Sequence, residues 1–414
     1  MNLTALFGAS FSICLSLVAT TDAELASQPT NVAFIRVDVL GWSTITNELK
    51  AKLDNWRAGV GAYEPISNDR FEPRVTGTAL VRHRPQPKVE LVLGNFLPGE
   101  GGETETTPSP LSSPFGVDFD PDGTMWIVEL GGGRVHTLDR AGMFATVSGD
   151  GETGYRGDGG PAGQARFNGM HNVAVARTGD VYIADSWNHC VRKIDRSTGV
   201  ITTVAGTGEA GSSGDNGPAL DATFEFIMCV SLNPANDKIY VADLRNRRIR
   251  MFDLKSGIVN HVAGNGETAV PRNGAIAAQS PLVDPRAVAV GTDGRVYVLE
   301  RSGHALRVVN RDGTIHTVVG TGQPGYRDGP ARQAMLDSPK HLCLDEQGRV
   351  YIADDRNAVI RRYDPDGETV TTLLGQGRGQ PAVSLSHPHG VCVERGRLYV
   401  VDTGHNRILS MELE

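Results

Sequence analysis

The stretch Val181–Asp195, VYIADSWNHCVRKID, limits what this chain can fold into more than any other feature, because it recurs. Variants read IYVADLRNRRIRMFD from Ile239, VYVLERSGHALRVVN from Val296, VYIADDRNAVIRRYD from Val350 and LYVVDTGHNRILSMEL from Leu398. A looser copy, MWIVELGGGRVHTLD, begins at Met125. A unit of this length cannot bury its apolar face alone, so its copies must stack into one repeat architecture. The acidic residues at the same point of each copy are Glu129, Asp185, Asp243, Glu300, Asp354 and Asp402, at spacings of 56, 58, 57, 54 and 48 by subtraction.

Each copy reads as four short strands. Strand a is of the type FGVDFD at Phe115, NVAVA at Asn172, AVAVG at Ala287, HLCLD at His341 and GVCVE at Gly390. Strand b is the VYIAD element, strand c the CVRKID element, and strand d the ITTVAG element at Ile201 with its counterparts. Turn residues such as Pro121-Asp122-Gly123 and Ser197-Thr198-Gly199 join a to b and c to d. Four antiparallel strands, repeated six times, predict an all-β, six-bladed β-propeller. The last copy ends after strand c, while an unclaimed d-type strand, Lys88–Leu93, lies upstream of the first. The expected closure therefore has the N-terminal strand completing the last blade, which leaves no sheet edge open.

Residues 87–414 are thus assigned to the propeller. Residues 1–23 read as a signal peptide, with an apolar run from Ala5 to Ala19 and no Lys or Arg before Arg36. The expectation is an exported protein, periplasmic or extracellular, with no stable membrane span after cleavage. Residues 24–86 read as an N-terminal extension: a strand-like alternation over 31–41, a helix over 47–57, and a linker over 70–86. The net charge of −8 argues against nucleic acid as a partner. Cys190, Cys229, Cys343 and Cys392 read as free thiols, since no CxxC or Cys/His zinc spacing occurs.

The chain resembles the NHL-repeat family of six-bladed propellers. The carriers are Pro114-Phe115-Gly116-Val117 and Pro388-His389-Gly390-Val391 on strand a, and IYVADLRNRRIRMF from Ile239 on strands b and c. The resemblance implies a fold that commonly presents one face to a partner. Some propellers of this type are peptide-amidating lyases with zinc held by three histidines near the axis.

The repeats also separate scaffold from site. A residue present in every copy serves the fold, so the strand-b acid is expected to accept hydrogen bonds around the b–c turn. Arg192, Arg250, Arg307 and Arg361 on strand c are scaffold or surface residues on the same reasoning. Asp158, Asp215 and Asp328, in the GDGGPAG-type loops, are expected to cap short helices; calcium is the alternative. Positions that differ between copies at the channel mouth are better site candidates. Just before strand a stand Phe115, His171, Met228, Arg286, Lys340 and His389, with His341 one residue further on. The ligand-binding set expected at the mouth is His171, Arg286, Lys340, His341 and His389, suited to an anionic or carbonyl-bearing ligand. The leading expectation is a non-catalytic binding propeller for a protein, peptide or glycan, with no required cofactor. The alternative is a metal-assisted lyase or hydrolase with zinc on His171, His341 and His389.

Overall fold

The computed structural model describes the strands within residues 15–16, 32–37 and 78–82, and residues 88–413 except 99, 101–108 and 379–381. The chain forms two compact units, Met1–Pro85 and Gln86–Glu414. In the first, Leu15–Ser16, Val32–Val37 and Thr78–Arg82 form a three-stranded antiparallel sheet with Val32 opposite Arg82. The segment read as a linker therefore carries a strand. The helix expected over 47–57 lies outside the described residues, as does most of the expected signal peptide.

The second unit is a six-bladed propeller of four-stranded antiparallel sheets, two of which add a short outer strand. Strands a, innermost around the axis, are Pro114–Phe119, Met170–Val175, Ile227–Leu232, Pro285–Val290, His341–Leu344 and Pro388–Glu394. Strands b of the first, second, fourth and fifth blades are buried along their whole length, because neighbouring blades cover both of their faces. The last blade follows the expected closure. Val89–Leu93 pairs antiparallel with Arg407–Glu412, with Met411 opposite Val89 and Ile408 opposite Leu93.

Each blade after the first is pinned internally by a buried charge pair. Arg192, Arg250, Arg307, Arg361 and Arg407 on strands c are all fully buried, which makes them scaffold and not surface. Each faces the acid that ends strand b, as in Arg361 Nη1 to Asp354 at 2.8 Å, Arg307 Nε to Glu300 at 2.7 Å and Arg407 Nε to Asp402 at 2.7 Å. The same acids accept backbone N–H groups from the start of the blade, such as Asn168 N–H to Asp185 at 2.7 Å. In the first blade His136 replaces the arginine, 3.2 Å from Glu129.

The loop aspartates do not cap helices, as the sequence suggested. The short 3₁₀ turns start at Pro161, Pro218 and Pro330 with no side-chain cap. Asp158 instead accepts from Arg192 at 2.7 Å, Asp215 from Arg250 at 2.7 Å and Asp328 from Arg361 at 2.8 Å. A buried guanidinium needs more acceptors than one strand-b acid supplies, so it draws the loop carboxylate inward. In the last blade Glu100 takes this part, accepting from Arg407 at 3.1 Å.

Closure should be worth several hydrogen bonds of about 1 kcal/mol each plus the burial of Val89. Deleting residues 1–95 is expected to lower Tm by roughly 5 °C or more relative to deleting residues 1–85. Equal melting curves for the two truncations would contradict the closure.

Candidate functional site

The mouth of the channel is built by a repeated irregularity. In five blades the ladder between strands a and b slips by one residue near its start, between Pro114 and Gly116, Met170 and Asn172, Ile227 and Cys229, Pro285 and Ala287, and Pro388 and Gly390. The extra residues are Phe115, His171, Met228, Arg286 and His389. A bulge frees one residue from the ladder and re-aims its side chain. In the remaining blade the ladder starts at His341, leaving Lys340 just ahead of it. Phe115, His171, Met228, Arg286, Lys340 and His389 thus hold equivalent places at the rim of the axis.

Phe115 is the hub. Its ring centroid lies 4.8 Å from that of His171 and 4.2 Å from that of His389, on the two flanking blades. Arg286, from the blade opposite, places its guanidinium carbon 5.6 Å from the Phe115 centroid. Lys340 Nζ stands 3.5 Å from Asp355, a buried carboxylate in the b–c loop of its own blade. Asp355 also receives His387 at 3.0 Å and lies 3.6 Å from His389 Nε2.

Arg286 is the anomaly. It is 2% exposed. Among the described residues its one hydrogen bond runs from Nη1 to Met228 O at 3.3 Å, and its Nε is buried without a partner. Burial pulls its pKa down to about 10, with neighbouring Arg301 adding to the effect, so it remains a cation at neutral pH. The imidazoles differ. Burial, reinforced by the charge on Arg286, lowers His171 to about 3 and His389 to about 2. Both are neutral at physiological pH. The Nδ1–H of His171 donates to Gly169 O at 2.8 Å, which leaves Nε2 as the acceptor. The positive charge at the mouth therefore belongs to Arg286 and Lys340.

His341 does not join them. One residue past the rim position, it crosses the channel, with Nε2 2.9 Å from Asn172 Nδ2 and Nδ1 3.2 Å from Val391 O. Burial lowers it to about 4, and it stoppers the channel below the mouth. The three histidines expected to share zinc are thus split between two levels. The group of metal-ligating atoms that does converge among the described residues is Asp355, His387 and His389. Sequence reading missed Asp355, although its siblings Leu130, Ser186, Leu244, Arg301 and Thr403 show that this position varies between blades.

Beneath His341 the channel widens to a cavity of about 410 Å³ lined by Asp118, Cys229, Cys343 and Cys392 among others. Burial raises Asp118 to about 6 and the thiol of Cys229 to about 11. Cys343 and Cys392 are pushed well above the ordinary thiol range, also by burial. These are thiols at neutral pH, which disfavours both nucleophilic attack and metal ligation by them. All four cysteines from Cys190 onward are free thiols, as expected, and Cys343 and Cys392 border the channel.

The NHL repeat family matches residues 167–194 and 385–409. NHL repeat-containing protein 2 of Gallus gallus is 27% identical over 348 residues, covering 74% of this chain and 47% of its own length. Teneurin-1 of Homo sapiens is 29% identical over 266 residues, covering 55% of this chain and 9% of its own. The chain spans half or less of these relatives. Among solved structures, an auxiliary nutrient binding protein from Bacteroides ovatus superposes with a TM-score of 0.57 at 15% identity, covering 92% of this chain and 83% of that one. At that identity the likeness is one of fold.

The buried imidazoles each contribute a loss of stability in acid. An unfolded histidine takes up a proton as pH falls through about 6.5, whereas His171, His341 and His389 stay neutral in the folded state. The unfolded chain then binds more protons, so stability is lost as pH falls below about 6.5. Four carboxylates oppose this, Asp185 and Asp243 raised to about 7 and Asp118 and Asp354 raised to about 6, all by burial, so the imidazole share is read by comparing a histidine variant with the wild type. His389→Gln is expected to gain Tm relative to the wild type as pH falls from 6.5 to 4, giving a different slope. An unchanged slope would contradict the assignment.

Proposed function

Because the chain is an NHL-repeat six-bladed propeller, we propose that it is a binding protein that takes an anionic group of a protein, peptide or glycan ligand into its channel mouth. The observation that carries this reading is Arg286. A buried guanidinium without a carboxylate partner is costly unless something supplies the missing charge and acceptors. The scaffold arginines inside the blades each have such partners; among the described residues Arg286, on a bulge at the channel mouth, does not. Lys340 adds charge beside it, and neutral His171 and His389 leave the anion uncontested. The Phe115 ring gives an apolar floor against which a planar carboxylate can rest.

One observation favours a second reading, metal-assisted lyase or hydrolase chemistry: the ligand atoms of Asp355, His387 and His389 lie within 4.8 Å of one another. Lys340 and Arg286 oppose a divalent cation there, which is why the binding reading leads. Elemental analysis separates the two. The binding reading expects no stoichiometric zinc; zinc at one per chain that disappears in His387→Ala and His389→Ala would favour chemistry.

The anion site itself is tested with citrate, succinate and sulfate as probes. Thermal scans of the wild type are expected to show a saturable rise in Tm, about 2.7 kcal/mol of added stability at a hundredfold excess over Kd. Arg286→Met should fold at least as stably without anion, since it removes a buried unpaired charge, and should lose the rise. An equal rise in both proteins would overturn the reading.

A further inference from the structure

The residue two before each rim position is also repeated: Ser113, Gly169, Phe226, Asp284, Ser338 and His387. Five of the six have left-handed backbone, with φ of 51° at Ser113, 65° at Gly169, 68° at Phe226, 52° at Ser338 and 49° at His387. The turn into strand a imposes this conformation, and Gly or small polar residues adopt it at least cost. Phe226 is the exception. A bulky aromatic at φ 68° is strained, and strain of that kind is retained where the side chain serves a purpose.

Its ring forms one wall of a groove of about 230 Å³ between the third and fourth blades, on the face that carries the mouth. The other walls are Leu244 and Val283, with Arg245, Arg247 and Arg301 at the edge. Arg301 donates to Asp284 at 2.8 Å, and Arg245 meets Glu225 at 3.4 Å in an exposed, weak pair. Among the described residues the Arg247 side chain bonds only a carbonyl, Arg245 O at 3.4 Å. Three arginines thus face two carboxylates around an apolar floor. The groove is continuous with the mouth: the Phe226 ring lies 5.7 Å from His171, and His171 lies 4.8 Å from Phe115. Trp187, 42% exposed, extends the aromatic wall 6.2 Å from Phe226.

We propose that this groove is a second subsite that takes an apolar side chain of an acidic peptide, whose carboxylates meet the arginines at the groove and at Arg286. The proposal rests on the mouth being a binding site. An apolar floor of Phe, Leu and Val suits a hydrocarbon side chain, whereas a sugar would leave its hydroxyls without partners there. The surplus positive charge selects acidic flanks.

The test is fluorescence anisotropy with a fluorescein-labelled hexapeptide of Asp and Glu around one Leu. Controls carry Gly for Leu, or Lys for the acids, and tetragalacturonate serves as competitor. Wild type should bind the Leu peptide. Phe226→Gly should weaken it by about tenfold or more through lost apolar burial, while holding or raising Tm because glycine relieves the strained φ. The Gly peptide should lose affinity for wild type in the same way, and the Lys peptide should not bind. Unchanged affinity in Phe226→Gly, absence of binding by wild type, or displacement of the peptide by tetragalacturonate at equal charge would overturn the proposal. Arg286→Met distinguishes the two readings. If it loses the citrate response while Phe226→Gly keeps the peptide, the groove fails and the mouth stands. If Phe226→Gly loses the peptide while Arg286→Met keeps the citrate response, the mouth assignment fails and the groove stands as a separate site.

Discussion

A guanidinium removed from water must be met on nearly every side, and in this propeller, besides Arg286, five strand-c guanidiniums are fully buried, one in each blade after the first. Each is answered by the acid ending strand b, and most also by a carboxylate reaching in from a loop: Asp158, Asp215, Asp328 or Glu100. Aromatic rings cover the exposed faces of the charge, as Phe224 does 4.5 Å from Arg250. The long loops that run from one blade to the next therefore have an electrostatic reason for their path. Those loops form the face on which the channel opens, so the interaction that holds a blade together also shapes the rim of the mouth.

The scaffold shows what a buried arginine requires, and Arg286 lacks it. Arg361 has two carboxylates and two carbonyls within 3.1 Å, while Arg286 has one carbonyl at 3.3 Å. Both sit in the same protein at similar burial. The difference lies in placement: Arg361 is enclosed inside a blade, whereas Arg286 projects from a bulge at the axis.

Repetition made the blades, their strand order and the closing strand legible, because a period-two pattern in register six times leaves little choice of fold. It also marked the rim, since Phe115, His171, Arg286, Lys340 and His389 differ where the scaffold does not. Four things were not legible. The aspartates of the GDGGPAG-type loops look like caps because the local sequence is a capping sequence; the arginines that claim them lie 33 to 35 residues downstream. His341 looks like a rim residue because bulges do not register in a sequence, and one residue of offset turns a side chain from the mouth to the channel interior. Asp355 was hidden behind Asp354, the scaffold acid beside it. The linker expected over 70–86 failed for a similar reason, because the short strand Thr78–Arg82 gains its stability from pairing with Val32–Val37, which local composition does not record.

The central claim is that the Arg286 guanidinium is a receptor for an anion. The most direct measurement is the Arg286 side-chain Nε–H resonance in a ¹⁵N-correlated NMR spectrum, assigned by its absence in Arg286→Met and followed during a citrate titration. That resonance is expected to shift saturably and downfield in its proton dimension, while the Nε–H signals of Arg192, Arg250 and Arg361 stay in place. A static Arg286 signal, or one that moves no more than those of exposed arginines, would contradict it.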